Sequence, residues 1–465
     1  MVGALLLAAC ISTDSNPPQP APSAPIAIAS LPASSTATDG YLVPITGFMT
    51  LRDDVGLAEL SDVLVPPAYE ADARRLLPKA RVTAVAPDGA LLARVRGRAT
   101  GIALVPPALV DASVKTLSLD DMYIWDPGLD LTRYPLRLPG RADAALPAGA
   151  RWDIVAAGEM IFGRGVQWRI EGRFAGDARP AFDHVRDVLQ GATLAIATLE
   201  APLSGAHNRY CDACFVFVGN EGYISGISDA GIDLVTLAAN HIGDGGTQGV
   251  MNTLRVLDSA QIAHVGAGAD LPAAHLPAIV QRGGQRIAVL GYTDVPPIEY
   301  AATAARPGSA WLSHDDPTYA ALREEIRDAK AQADLLVVMT HWGIEYEDRP
   351  REVEVAAARA MVEAGADIII GDHPHWVQSV ELYKGAYITY SVGNFVFDQM
   401  WSTETREGSL QRLSFVGRRL MGVRIMPTII DDYFQPRLLG ASEPQYRQTL
   451  ERIWAHSVLS ATQAR

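Results

Sequence analysis

Between Asp153 and Ile370 the chain alternates short apolar runs with stretches of helical periodicity, and that alternation limits the fold more than any other feature. The apolar runs are Asp153–Ala157, Leu194–Thr198, Leu234–Leu237, Ile287–Leu290, Leu335–Met339 and Ile368–Ile370. Each is too short for a buried helix and several are β-branched, so each reads as a strand. Thr318–Ala331 and Glu352–Ala364 carry helical patterns between them. Strand and helix in alternation predict an α/β domain built on a largely parallel or mixed sheet. The tail Leu410–Leu439 predicts two further strands, and Glu443–His456 a closing helix.

A chain of 465 residues is long enough for more than one domain. Residues 1–10 read as a lipoprotein-type signal segment: Leu5 to Ala9 are apolar, and the chain turns polar after Cys10. Residues 11–39 are rich in Pro, Ala and Ser with almost no charge, which predicts a disordered tether. Residues 40–140 predict a small α/β domain. Its strands Tyr41–Ile45 and Ile102–Pro107 are expected to stop at prolines, with helices over Asp54–Leu60 and Pro67–Leu77. A Pro/Gly/Ala stretch from Leu138 to Gly149 marks the boundary to a main domain over 150–440, and residues 441–465 form a C-terminal helix and tail. The N-terminus leads us to expect an exported protein of the cell envelope, held to a membrane through lipidated Cys10. Cys211 and Cys214 are then an even pair, read first as a small disulfide loop.

The formal net charge of -14 leaves no basic surplus for nucleic acid. An anionic polymer would be held only where a metal or basic pocket reverses the field. The residues just past each strand are more specific. Glu159 comes after the first run, Glu200 after the second, Asn240 and His241 after the third with Asp244 behind, and His341 after the fifth. The sixth leads into Gly371-Asp372-His373-Pro374-His375. The carboxyl ends of strands are where open α/β sheets bind ligands. Gly371 is expected to let the chain leave its strand sharply, and Pro374 to hold His373 extended. Glu159, Glu200, Asn240, His341, His373 and His375 make a mixed oxygen and nitrogen donor set, which suits Mn, Fe or Zn better than Mg or Ca. Six donors suffice for one or two divalent transition metals, and a pair of metals can clamp an in-line displacement at phosphorus.

In sequence order the motifs are Gly158-Glu159-Met160, Thr198-Leu199-Glu200-Ala201-Pro202-Leu203, Ala239-Asn240-His241 with Asp244, His341-Trp342-Gly343-Ile344-Glu345, Gly371-Asp372-His373-Pro374-His375, and Tyr390-Ser391-Val392-Gly393-Asn394-Phe395. As a set, over about Asp153 to Asp398, they resemble the CapA/PgsA family of capsule and poly-γ-glutamate synthesis proteins. That resemblance implies a calcineurin-like metallophosphatase-type domain of layered α-β-β-α architecture, preceded here by the small α/β domain. It implies Glu159 and His375 on one metal, Asn240, His341 and His373 on another, and Glu200 bridging. His241 resembles the imidazole that protonates a leaving group.

Two departures stand out. Glu159 is one methylene longer than the family's aspartate, and Ile161 stands where phosphatases place a histidine, leaving the first metal short of nitrogen. Thr198 replaces an Asn, an expected loss of a supporting hydrogen bond. Arg164 reads equally as an anion clamp or a surface ion pair. Trp342 and Trp376 read as wall or core, and Asn394 as a turn residue supporting the histidine loop. The expected activity is a metallophosphoesterase-like hydrolysis in capsule or poly-γ-glutamate-type polymer synthesis or export, on an anionic polymer or phosphoester and within reach of a polymer synthase. The alternative is a non-catalytic scaffold that binds an anionic polymer through a degenerate metal site.

Overall fold

The computed structural model describes residues 39–87, 90–96, 101–205 and 216–459. The readings on Cys10, on the tether up to residue 38 and on Cys211 and Cys214 lie outside the described residues.

The strand Arg151–Met160 is the spine of the first sheet. Leu194–Leu199, Leu234–Thr236 and Ala263–Val265 line up in parallel on one side. On the other side Glu407–Val416, Arg419–Asp431 and Gln435–Leu438 continue antiparallel. Asn394–Val396 pairs in parallel with the carboxyl end of the spine. The second sheet has a parallel centre of Gln285–Thr293, Leu335–His341, Ile368–Asp372 and Ala386–Thr389. Hairpin partners Ala278–Arg282 and Val380–Tyr383 close its two edges antiparallel.

Side chains alternate between the faces of a strand. Both faces here are covered, which is why the strands read as continuous apolar runs. Ile154, Ile196, Val289, Val337 and Ile370 meet between the sheets. Val155, Ala195 and Val235 face outward from the first sheet. They pack on Val166 and Ile170 of the helix Arg164–Phe174 and on Val250 and Leu257 of the helix Gly246–Ser259. Leu290, Val338 and Ile369 face outward from the second sheet, onto Ile326 of the helix Ala320–Ala331 and Met361 of the helix Glu352–Ala364. The layer order is α-β-β-α, as expected of a calcineurin-like metallophosphatase-type domain. The helix Pro444–Ala455 sends Tyr446, Leu450 and Ile453 into the inter-sheet core.

The described residues form one compact unit. Within it, Arg81–Ala84, Asp62–Val65, Ile102–Val105, Val43–Gly47 and Val114–Thr116 make a mixed five-stranded sheet with its own core. Val416 and Met421, from the long hairpin of the first main sheet, complete that core.

Several expectations are corrected. The tail holds three strands, because Gln435–Leu438 folds back on Arg419–Asp431. Asp54–Leu60 is a two-residue strand and a single 3-10 turn, Leu57–Glu59. The strand Val43–Gly47 runs through Pro44, which pairs with Leu104 and whose carbonyl still accepts the Leu117 N–H at 2.9 Å. Gly371 does not end its strand, which continues to Asp372. A Cβ at Gly371 would lie 2.3 Å from the Tyr390 carbonyl oxygen and 2.6 Å from Trp342 Nε1, so the glycine serves close approach.

Candidate active site at the strand ends

Glu159 reaches the site through a bulge. Pairing between the spine and Leu194–Leu199 slips between Ala156 and Glu159, and such a slip re-aims the side chains beyond it. Gly158 sits inside the slip, where a Cβ would be 1.9 Å from the Gly393 carbonyl oxygen. The Glu159 carboxylate is fully buried, and Oε1 accepts the His373 backbone N–H at 2.6 Å. Oε2 lies 2.8 Å from His375 Nδ1 yet has no directed hydrogen bond. The Asn394 amide explains this. Its Nδ2 donates to the Thr405 carbonyl at 2.8 Å and to Gln399 Oε1 at 3.1 Å, which leaves Oδ1 to accept from His375 Nδ1 at 3.0 Å. Burial pushes the Glu159 carboxyl up, but His375, His341 and the His373 N–H together bring it down to about 2.

Glu200 comes just after the neighbouring strand and is also fully buried. Its donor atom lies within 4.8 Å of those of Glu159 and His375. Neither of its carboxylate oxygens has a hydrogen-bond partner among the described residues. Burial first, then the Glu159 and Asp372 carboxylates, push Glu200 well above the usual carboxylate range.

His341 ends its strand in register with Asp372 on the next. Asp372 Oδ1 accepts from His341 Nδ1 at 2.7 Å, and Asp372 Oδ2 accepts the Thr198 hydroxyl. With its proton on Nδ1, His341 turns the Nε2 lone pair toward Asn240 Oδ1 at 3.0 Å. Two acceptors facing each other at that distance describe a place for a cation. The His373 ring lies 4.7 Å from that of His341, tilted by 58°, its Nδ1 buried without a partner, and burial holds it well below its ordinary pKa.

His241 Nε2 stands 3.9 Å from Glu200 Oε1, and its Nδ1 is held 2.8 Å from Asp244 Oδ2. That same oxygen accepts the Phe217 backbone N–H at 2.6 Å. The Phe217 ring lies 4.0 Å from the imidazole, and the Arg164 guanidinium 4.3 Å from Phe217. Arg164 forks onto Asp398, with Nε 3.1 Å from Oδ2 and Nη2 bonded to Oδ1. Of its two readings, the ion pair is therefore formed.

All six donor residues thus gather at one end of the two sheets, with His241 and Asp244 beside Glu200. Other expectations shift. His373 is not extended: its φ is +93° and that of His375 +58°. The bond from the His373 N–H to Glu159 overrides the restriction that Pro374 imposes, and such strain is characteristic of functional loops. Thr198 keeps a supporting hydrogen bond, because its hydroxyl reaches Asp372. Asn394 begins a strand and holds His375 by its side chain. Trp342 is core, with Nε1 donating to the Tyr390 carbonyl at 2.9 Å. Ile161 packs into the outer core of the first sheet, which leaves Glu159, Glu200 and His375 as the donors of that half. The sequence reading missed Asp372 as the group that orients His341. The available signal was positional, since both residues end adjacent parallel strands.

The residues fit a divalent transition metal. Orphaned buried oxygens on two adjacent carboxylates, with imidazoles oriented by Asp372 and Asn394, form the donor chemistry such ions take. Glu159, Glu200 and His375 would hold one ion, and Asn240, His341 and His373 a second beside it.

Sequence comparison finds relatives over the same part of the chain. The capsule biosynthesis protein CapA of Bacillus anthracis is 34% identical over 281 residues, 58% of this chain and 66% of that protein. The PGA biosynthesis protein CapA of Bacillus subtilis is 35% identical over 263 residues, 56% of this chain and 67% of that one. The chain thus spans about two thirds of the length of these relatives. A 5'-nucleotidase from Candida albicans overlays with a TM-score of 0.35 at 11% identity, over 64% of this chain and 56% of that one, and adds nothing to the layer order above. The family model for the bacterial capsule synthesis protein PGA_cap matches residues 153–399, more than half of the chain and the whole stretch that carries the six donors; the chain belongs to that family.

Proposed function

We propose that this chain acts in the synthesis or export of a capsule or poly-γ-glutamate-type polymer, as a metal-dependent hydrolase of phosphoester type. The observation that carries the reading is the buried pair Glu159 and Glu200, whose orphaned oxygens lie beside the His375 and His241 imidazoles. Two carboxylates in one dry pocket repel each other, and a cation is the simplest compensation. A bound divalent metal supplies Lewis-acid stabilisation of charge developing on the phosphoryl oxygens. The protein's own groups do the rest. Asp372 and Asn394 fix the proton on Nδ1 of His341 and His375. Asp244 does the same for His241, so that a second proton, taken up on the Nε2 that lies 3.9 Å from Glu200 Oε1, would be the one passed to a leaving oxygen. The site lies within an exported, envelope-located chain, tethered through lipidated Cys10 and working beside a polymer synthase.

One observation favours a second reading, a non-catalytic scaffold for an anionic polymer. Ile161 contributes no nitrogen, so the half of the site with Glu159 and Glu200 has a single imidazole, His375. Turnover of a generic phosphodiester by the purified, Mn-loaded chain separates the two. The enzymatic reading expects hydrolysis that falls by at least about a hundredfold in His341→Ala; metal-replete wild-type protein with no turnover on any phosphoester contradicts it.

A further inference from the structure

Beside the His375 half of the site the chain builds an aromatic ledge that the chemistry above does not use. Tyr346 sits at φ +65°, a strained conformation for a tyrosine, and its N–H donates to the Pro374 carbonyl at 2.8 Å. That bond holds its ring over the histidine loop, 5.9 Å from His375. The Tyr346 ring lies 6.4 Å from Trp376 and 6.3 Å from Trp401, nearly perpendicular to the latter. Trp401 is 61% exposed, unusual for so large an apolar ring. The Tyr346 hydroxyl accepts from Gln399 Nε2 at 3.4 Å, and Gln399 in turn holds Asn394, the partner of His375. The ledge and the donor loop are therefore one connected structure.

The charge around the ledge selects its occupant. Glu345, Glu347 and Asp348 stand on the same loop as two cations, both already paired: Arg349 Nε lies 3.1 Å from Asp348 Oδ1 and Arg351 Nη2 lies 3.1 Å from Asp294 Oδ2. Glu345 Oε1 lies 4.0 Å from His375 Nε2. Arg164, on the neighbouring helix, is bound to Asp398. A polyanion approaching here meets like charge. A neutral polyol does not: the C–H face of a sugar ring packs on aromatic rings, and its hydroxyls donate to carboxylates.

We propose that Tyr346, Trp376 and Trp401 form a subsite for a neutral sugar ring, so that the polymer or phosphoester engaged at the adjacent centre carries glycosyl units. This rests on the reading of that centre as a substrate site. The test titrates the full chain with cellotetraose, maltotetraose and chitotetraose, and separately with γ-linked tetraglutamate, following tryptophan fluorescence. The expected result is saturable binding of at least one saccharide, weakened about tenfold or more in Trp401→Ala and again in Tyr346→Ala. Trp401 is exposed enough that its removal leaves the core untouched. The proposal is overturned by binding of no saccharide, by binding of tetraglutamate in their place, or by a Trp401→Ala chain that binds as the wild type does. Metal content, measured on the same samples, reports on the centre separately. A chain that binds sugar but holds no metal sinks the hydrolase and keeps the ledge.

Discussion

Asp372 is the residue on which the orientation of the site turns. It accepts from His341 through one oxygen and from Thr198 through the other, so it links the ends of both sheets. Partners of this kind usually contribute ten- to a hundredfold in metal affinity. In Asp372→Asn the amide can present its nitrogen to His341 and displace the proton from Nδ1. Mn affinity measured by calorimetry is expected to fall by about that factor while far-UV circular dichroism stays unchanged; wild-type affinity would show that His341 needs no such partner. The donors themselves were legible because each is a polar residue directly after an apolar run. Asp372 was harder to assign, since an aspartate between a glycine and a histidine also reads as a loop residue. Only the pairing of the two strands sets it opposite His341.

Among the elements, the bulged end of Arg151–Met160 does what composition cannot reveal. The apolar run predicted the strand, but the slip at Gly158 depends on Gly393, a residue far along the chain, whose carbonyl occupies the space of a Cβ. Gly158→Ala forces that carbonyl away and displaces Glu159 with it. Overpacking of this kind costs about 1–3 kcal/mol, so thermal melting is expected to drop by several degrees and bound metal to fall together with it; loss of stability with full metal content would uncouple the bulge from the site. The same limit explains His373. Local sequence favours an extended residue before proline, and the hydrogen bond that His373 donates to Glu159 on a distant strand decides otherwise. The fold class, the order of strands and helices and the convergence at their ends came from periodicity. The third tail strand and the turn at Leu57–Glu59 did not, because both lack a periodic apolar pattern long enough to read.

In the molecule as a whole, the small N-terminal sheet is not a separate bead. Its core is closed by Val416 and Met421 of the main domain's hairpin. Lys115 is buried 2.6 Å from Asp53, whose carboxylate also takes the Tyr446 hydroxyl of the C-terminal helix. Burial holds Lys115 below its ordinary pKa, opposed by Asp53. Met421→Ala removes a fully buried side chain at this junction, and losses of that type cost about 2–5 kcal/mol. Calorimetry is expected to find one transition in the wild type and a lowered one in the variant; two separated transitions in the wild type would show that the two parts fold independently.

Whether buried carboxylates and imidazoles from both sheets hold a divalent metal is decided by elemental analysis of the purified full chain, wild type beside Glu200→Gln. At least about one tightly held Mn, Fe or Zn is expected per wild-type chain. A marked loss of that metal is expected in the variant, whose neutral amide removes the shared charge without changing the shape. A folded wild-type chain that carries no metal after loading, or a Glu200→Gln chain that retains all of it, would refute the metal centre.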